Sequence, residues 1–449
     1  MAQIEYSKVN DAATLISSRI ETHIQGETET QHHKGLTVLT TCIFIVGVIA
    51  GSGFLTLPKA IDDAGWVGFV LIFFCCMVSA YTGHILGKCW VIVRERYGEL
   101  TSNIARFPYP AIGEEAYGRK GRYTVSFCIN FSMFGSTVVF ILIASENIMK
   151  LLPSGTGMNC CYLALIIGGV ITPFTWLGTP KDFWGIAAIA TVATATASTI
   201  LLVSVSYHGS QMDLGEVTHT QVDAITFFTA YGTICFAFNG HPAFPTFQSD
   251  MADEKKFGHA ILFGYIIVLL MYTPSSAVAY FVYGSKVEPN ILQTLPTGPT
   301  STIVSLLITS HLLFGAVIVI NPFLQELDHV FKVPPNFTWK RIVSRTTAMA
   351  TVVFVALSVP HFSAILALVG ASTLSLLGFV LPPLFYLKLC RVDERHSPKF
   401  ISLHTRVFLY EIVFVGLSAG IAATYSAFED LIDNKFTVPC YYDPVKACG

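Results

Sequence analysis

Long apolar runs recur along this chain of 449 residues, and most of them are about 20 residues long or longer. An α-helix needs about 20 predominantly apolar residues to cross the hydrocarbon core of a bilayer. The composition agrees, because 53% of the residues are hydrophobic and only 12% are charged. Soluble domains carry roughly twice that charge, about 25%. The sequence therefore predicts an all-α, multi-pass membrane protein.

We expect eleven membrane-spanning helices, and the basic residues support their number and orientation. With the N-terminus in the cytoplasm, all but five of the 27 Lys and Arg residues lie on the cytoplasmic side, as the positive-inside rule requires. Residues 1–34 then form a polar, disordered cytoplasmic tail, 35–427 the transmembrane domain and 428–449 an extracellular or lumenal tail. The expected spans are 36–60, 66–92, 122–151, 161–178, 183–207, 221–249, 258–283, 300–330, 341–360, 363–389 and 404–427.

The first span contains a signal for a break at its centre, Gly51-Ser52-Gly53. Glycine costs about 1 kcal/mol relative to alanine inside a helix. Unwound backbone survives at membrane depth only where it lines a cavity enclosed by protein. A break would leave backbone N–H and C=O groups available to a ligand. The alternative is that these small residues only let two helices pack closely.

The sixth span carries a second signal, Asn239-Gly240-His241-Pro242. Proline removes a backbone donor and glycine lowers the cost of opening a helix; a simple proline kink is the alternative. Two interrupted spans five apart predict two five-span units related by an inverted repeat, with a transport site between them. Half-helix N-termini suit a carboxylate and unwound carbonyls suit an ammonium or metal cation. This pairing favours a zwitterion such as an amino acid, while choline-like and other small solutes stay open.

Three motifs resemble those of the amino acid/auxin permeases, a family of eukaryotic amino acid transporters. They are Leu55-Thr56-Leu57-Pro58-Lys59-Ala60 with Ala64-Gly65-Trp66, then Phe236-Ala237-Phe238-Asn239-Gly240-His241 with Phe244-Pro245, and Asn321-Pro322-Phe323-Leu324-Gln325-Glu326-Leu327. The last is similar to members near the vacuolar and vesicular branches. The resemblance implies a LeuT-type fold with ten core helices plus one, and a substrate held between the first, third, sixth and eighth spans. Lys59 departs from the tyrosine of many relatives.

Candidate site residues follow from the two breaks and from polar residues in neighbouring spans. For ion coupling, His311 at mid-membrane indicates a proton, with a histidine bonded in the bundle core as the alternative. Thr309 and Ser310 could instead bind sodium, although hydroxyls in spans usually bond to backbone carbonyls. Glu146 could line the outer entrance or pair with Lys150. The expected substrate-binding residues are Ile49, Ala50, Gly51, Ser52, Gly53, Asn130, Phe134, Phe236, Phe238, Asn239, Gly240 and His241.

The sequence therefore predicts a secondary active amino acid transporter working by alternating access, most readily coupled to protons. An amino acid sensor that signals to a cytoplasmic partner is the alternative, and a channel is disfavoured because no filter-like repeat is present. A net charge of −2 with scattered basic residues gives no nucleic-acid signal. No enzyme motif, cofactor or metal site is expected. We expect a monomer surrounded by lipid.

Cysteines and short tail motifs indicate the compartment. A disulfide could form among Cys160, Cys161, Cys440 and Cys448, which share the outer side, but the sequence leaves the pairing open. The sequon Asn336-Phe337-Thr338 is expected to be cytoplasmic and unmodified. The tail contains two stretches similar to sorting signals, Tyr6-Ser7-Lys8-Val9 and Asp11-Ala12-Ala13-Thr14-Leu15-Ile16. Together they favour an endosomal, lysosomal or vesicular membrane over the plasma membrane.

Overall fold

A computed structural model describes residues 35–97, 107–153, 155–177, 184–212, 215, 217–334, 336–391, 399–434, 438–444 and 446–448. The expected cytoplasmic tail 1–34 and both sorting motifs lie outside the described residues. The described α-helices are α1 Val38–Ile49, α2 Gly53–Ala64, α3 Val67–Tyr97, α4 Pro108–Leu151, α5 Cys160–Trp176, α6 Trp184–Gly209, α7 Ala224–Ala237, α8 Phe244–Ser249, α9 Phe257–Tyr283, α10 Ile291–Thr294, α11 Pro299–Val330, α12 Trp339–Ser358, α13 Phe362–Val369, α14 Leu381–Leu389 and α15 Leu403–Glu429.

The membrane-spanning character predicted from the apolar runs is confirmed. Among the described residues, 8 helices are long and apolar enough to cross a membrane, or 9 if the bent pair α1 and α2 is one span. Two shorter apolar helices, α5 and α7, coincide with the expected fourth and sixth spans. α5 has 17 residues, and α7 ends at the break in the sixth span. The total of eleven spans stays a prediction.

The two interrupted helices pack against each other at the centre of the bundle. A Cβ atom placed on Gly53 would lie only 2.5 Å from the Cα atom of Ala237, so glycine is what allows α2 and α7 to approach. Around this pair, α11 packs against α4 and α6, while α9 packs against α1, α2 and α3. Large apolar side chains on the outer surface, such as Phe73 and Phe414, are exposed, as expected for residues that face lipid.

Two helices depart from regular α geometry. A kink divides α4 at Tyr117 and Gly118, and Gly118 has a φ of +66°, a left-handed conformation that glycine adopts without a steric penalty. The helix α13 continues through two π-helical segments, Gly370–Leu374 and Leu376–Val380, before α14 begins. Because π-helical turns are wider than α-helical turns, they release individual backbone carbonyls for bonds outside the helix.

A buried arginine joins three helices on the inner side of the bundle. Arg345 of α12 donates from Nε and Nη2 to Oδ2 of Asp328, at 2.9 and 2.8 Å. Its Nη1 also donates to the carbonyl oxygens of Thr175 and Leu177, at 2.5 and 3.2 Å. The side chain therefore ties α12 to the end of α11 and caps the C-terminal end of α5.

The outer tail is fixed to the bundle by disulfide chemistry. Cys161 bonds to Cys440, with their Cα atoms 5.6 Å apart, and Cys160 is disulfide-bonded as well. The backbone N–H of Cys440 donates to the carbonyl of Leu357 at 2.8 Å. Seven other cysteines are buried and free: Cys42, Cys75, Cys76, Cys89, Cys128, Cys235 and Cys390. The chain thus places its oxidised cysteines together at one end of the bundle.

Candidate substrate site at the two helix breaks

The first break lies where the sequence predicts it. α1 ends at Ile49 and α2 begins at Gly53, and the axes of the two halves differ by 57°. The carbonyl of Ile49 accepts a hydrogen bond of 2.7 Å from the hydroxyl of Tyr272 on α9. The hydroxyl of Ser52 is buried and has no hydrogen-bond partner among the described residues. The first N–H groups of α2 have no acceptor within the helix, so the break presents donors to its surroundings.

The second break follows the same plan. α7 ends at Ala237 and α8 begins at Phe244, so residues 238–243 connect two half-helices. The carbonyl of Phe238 accepts a 2.8 Å hydrogen bond from the hydroxyl of Tyr265. Tyr265 and Tyr272 are seven residues apart on α9, two helical turns, and therefore share a face. One helix thus satisfies a carbonyl at each break. Sequence reasoning missed both tyrosines, because their seven-residue spacing places them on one face of a helix but does not say what that face contacts.

The polar side chains of the second break form hydrogen bonds with other residues of the protein. Asn239 donates from Nδ2 to the carbonyl of Leu374, in the π-helical part of the tenth span, and its Oδ1 accepts from the backbone N–H of His241 at 3.2 Å. The ring of His241 is fully buried, with Nδ1 3.1 Å from Oδ1 of Asn239 and Nε2 3.0 Å from Oγ1 of Thr82. In this conformation the side chains of Asn239 and His241 already have hydrogen-bond partners within the protein. The groups that remain available to a ligand at this break are therefore those of the backbone.

The two breaks are in direct contact. A Cβ atom placed on Gly240 would lie 3.0 Å from Cγ1 of Ile49. The ring of Phe238 is fully buried and lies 5.5 Å from the ring of Tyr272 between centroids. Phe236 points elsewhere, since a Cβ atom on Gly370 would lie 2.9 Å from its Cβ atom. The structure therefore brings the predicted residues of spans one and six together, with Phe236 packed toward the tenth span.

His311 of α11 faces the first break. Its Nδ1 lies 3.1 Å from the carbonyl oxygen of Ala190 and 2.9 Å from Oγ1 of Thr194. A carbonyl oxygen can only accept, so Nδ1 carries the proton and Nε2 of the neutral ring has an open lone pair. A Cβ atom on Gly51 would be 3.9 Å from that Nε2 atom. Two residues predicted separately, Gly51 and His311, are thus neighbours.

The other ion-coupling candidates, Thr309 and Ser310, lie on different faces of α11. Consecutive helical residues point about 100° apart. Thr309 is buried, and its hydroxyl has no hydrogen-bond partner among the described residues. Ser310 is exposed and donates to the carbonyl of Leu306 at 2.8 Å. Ser310 therefore faces away from the breaks and bonds to its own helix, the alternative that hydroxyls in spans generally follow.

Phe140 of α4 lies beside the first break, at a different level of that helix from the predicted Asn130 and Phe134. A Cβ atom on Gly51 would lie 3.5 Å from Cζ of Phe140. Asn130 and Phe134 are ten and six residues nearer the inner end, about 15 and 9 Å away at 1.5 Å per residue. Asn130 donates to Oε2 of Glu326 at 2.8 Å, and Phe134 packs on the ring of Phe323.

These helices define the class of protein as a multi-pass membrane protein with the LeuT fold. The structure of MhsT in complex with L-phenylalanine aligns with a TM-score of 0.56 and 13% identity, covering 88% of this chain and 99% of that chain. A manganese transporter from Eremococcus coleocola aligns with a TM-score of 0.55 and 13% identity, covering 88% and 87%. At these identities the likeness concerns the fold alone.

The chain belongs to the transmembrane amino acid transporter protein family, whose model matches residues 34–429. It is similar to two amino acid transporters of Arabidopsis thaliana. AVT1J is 26% identical over 403 residues, covering 87% of this chain and 90% of that protein. AVT1E is 23% identical over 445 residues, covering 96% and 80%. The family inferred from the motifs around the two breaks is therefore confirmed.

Proposed function

We propose that this protein is a secondary active transporter that moves amino acids by alternating access, driven by protons. The observation that carries the proposal is the contact between the two helix breaks, with His311 facing Gly51. Unwound half-helices that meet within a bundle are the hallmark of transport sites in this class of fold. The names of the Arabidopsis relatives support amino acids as the substrate.

The two breaks offer complementary chemistry to a zwitterion. The N-terminal end of α2 carries about half a positive charge and unpaired N–H donors, which suit a substrate carboxylate. The carbonyl ends of α1 and α7 suit the ammonium group. Tyr272 and Tyr265 each occupy one carbonyl there, so they hold the unwound backbone in place while other groups contact the substrate.

His311 is the proposed proton carrier. Because Nδ1 is held by Ala190 and Thr194, Nε2 is the atom that gains or releases a proton beside the break. Protonation there puts a positive charge next to the substrate carboxylate, which links proton binding to substrate binding. Thr309, with its unpaired buried hydroxyl, supports sodium as the alternative coupling ion.

The proposed setting is an internal membrane of the endosomal, lysosomal, vacuolar or vesicular type. The protein would act as a monomer with its N-terminus in the cytoplasm. The distribution of basic residues supports this orientation, and the disulfide between Cys161 and Cys440 is consistent with an oxidising outer side.

Reconstitution into liposomes tests this function. Labelled amino acids are screened with a proton gradient or a sodium gradient imposed separately. We expect at least one amino acid to accumulate with the proton gradient, and His311→Ala to abolish the dependence on pH. If no amino acid accumulates with either gradient, the proposal is wrong. Accumulation with sodium alone would replace the proton with sodium as the coupling ion.

A further inference from the structure

A partly buried carboxylate near the outer end of α4 takes no part in the site described above. Glu146 is six residues beyond Phe140, about 9 Å further toward the outer side. Its Oε2 accepts a 3.3 Å hydrogen bond from Nδ2 of Asn290. The same Nδ2 donates to Oδ1 of Asn147 at 2.9 Å. The carboxylate therefore lies among neutral amides.

The lysine expected to neutralise Glu146 is used elsewhere. Lys150 donates from Nζ to the carbonyl oxygens of Leu292, Gln293 and Leu295, the last two at 3.2 and 2.7 Å. It thereby caps the short helix α10. Within the part of the chain that the structure describes, no lysine, arginine or histidine lies within ion-pair distance of Glu146.

Charged side chains flank Glu146 on two described elements. On its own helix there is Lys150, which is bound to the carbonyls of α10. On the segment before α10 there is Glu288, an exposed carboxylate. Neither side chain gives Glu146 a counter-charge within ion-pair distance.

The surrounding amides can serve both protonation states. Asn147 is fully buried, and its Nδ2 has no hydrogen-bond partner among the described residues. An amide has both donors and acceptors. The ionised carboxylate accepts from Nδ2 of Asn290, whereas the protonated acid can donate its O–H to an amide oxygen. A carboxylate surrounded by neutral amides can change its charge and keep hydrogen-bond partners, whereas a carboxylate in an ion pair is held in its ionised form.

The cluster is connected through α10 to α2, the second half of the broken first span. Asn290 caps the N-terminus of α10 through its Oδ1, which accepts from the N–H of Leu292 at 3.2 Å. α10 packs on α2, the outer half of the broken first span, and on α4 and α11. A charge change at Glu146 therefore alters a bond that holds α10, and α10 in turn contacts α2.

We propose that Glu146 is a second proton-binding residue of the transporter, loaded from the outer side. The step adds one proton from the outer solution to a carboxylate oxygen, and the charge of the group changes from −1 to 0. The Asn290 N–H bond to the carboxylate is then exchanged for an O–H bond from the acid. The proposal rests on proton-coupled transport as the function and adds to it a site outside the two breaks.

The test uses the full chain in liposomes, with proton flux and labelled amino acid counted together. Glu146→Gln keeps the shape and stays neutral. We expect exchange of amino acid at equal pH to persist, while accumulation driven by a proton gradient falls by about fivefold or more, the lower end of ordinary coupling between two ligand sites. Glu95→Gln, at an exposed carboxylate near the end of α3, is the matched control and should behave as the wild type.

The outcomes separate this inference from the function on which it rests. If the wild type is driven by protons and Glu146→Gln keeps the same proton flux and pH dependence, Glu146 is not a proton site. If the wild type itself ignores the proton gradient, proton coupling fails and this inference fails with it. Should Glu146→Gln not insert, Glu146→Ala, which also lacks a titratable group, replaces it, and an unchanged pH profile in that variant would overturn the proposal.

Discussion

Replacing Tyr272 with phenylalanine tests whether a hydroxyl from α9 supports the first break. The substitution removes one oxygen and keeps the ring, which packs on Phe54 and Phe238 with centroids 5.8 and 5.5 Å apart. What is lost is the 2.7 Å bond to the carbonyl of Ile49. Ile49 is almost fully buried, and its carbonyl then keeps only the 2.8 Å bond from the backbone N–H of Gly51.

The loss of one of the two hydrogen bonds to that carbonyl costs about 0.5–1.5 kcal/mol. At 1.4 kcal/mol for each factor of ten, the bent form of the first span loses a factor of roughly 2 to 12 relative to other conformations. The apparent substrate affinity should therefore fall by up to that factor, and the melting temperature in nanodiscs should fall as well.

The test of Tyr272→Phe measures thermal unfolding and amino acid uptake on the same preparation. Tyr207→Phe is the matched control, since the side chain of Tyr207 is 67% exposed on the outer surface, and it should leave both quantities unchanged. If Tyr272→Phe leaves stability and uptake at wild-type values, the hydroxyl does not hold the break, and the account of α9 as a common support is wrong.

Three further substitutions test other parts of the structure. Gly53→Ala places a methyl group 2.5 Å from the α7 backbone and should destabilise the protein by about 1–3 kcal/mol, whereas Gly51→Ala, at an ordinary contact distance of 3.5 Å, should fold normally; melting curves compare the two. Arg345→Leu removes a buried cation from the partly buried Asp328 and should cost about 3 kcal/mol, the lower end for breaking a buried ion pair, visible as poor expression and a low melting temperature. Cys161→Ser should free Cys440 for labelling by a thiol reagent from the outer side, and no gain in labelling would contradict the bridge.

Glycine and proline made the breaks predictable, because their effect on a helix is local and does not depend on neighbours. Gly51, Gly53 and Pro242 therefore located the unwound segments from the sequence alone. The contact between the segments followed from their five-span separation, a property of the repeat. The two breaks and their separation therefore identified the first and sixth spans as two that meet at the site.

The level of contact on a neighbouring helix could not be predicted in this way. Asn130 and Phe134 lie one turn apart and share a face, but the tilt and offset of α4 decide which residue lies beside Gly51, and those follow from packing along the whole helix. The roles of Tyr265 and Tyr272 were hidden for a similar reason. A tyrosine in a span can line a cavity, face the lipid boundary or cap a carbonyl, and the sequence does not choose among these.

The central claim is that the two breaks form the amino acid site, and protection of a cysteine placed there tests it directly. Ser52→Cys, in the first break, is labelled with a water-soluble thiol reagent in proteoliposomes, with and without a transported amino acid. Ser310→Cys, on the exposed face of α11, is the control. The account predicts that the amino acid slows labelling at position 52 and has no effect at 310. Equal labelling at position 52 with and without a saturating amino acid would contradict it.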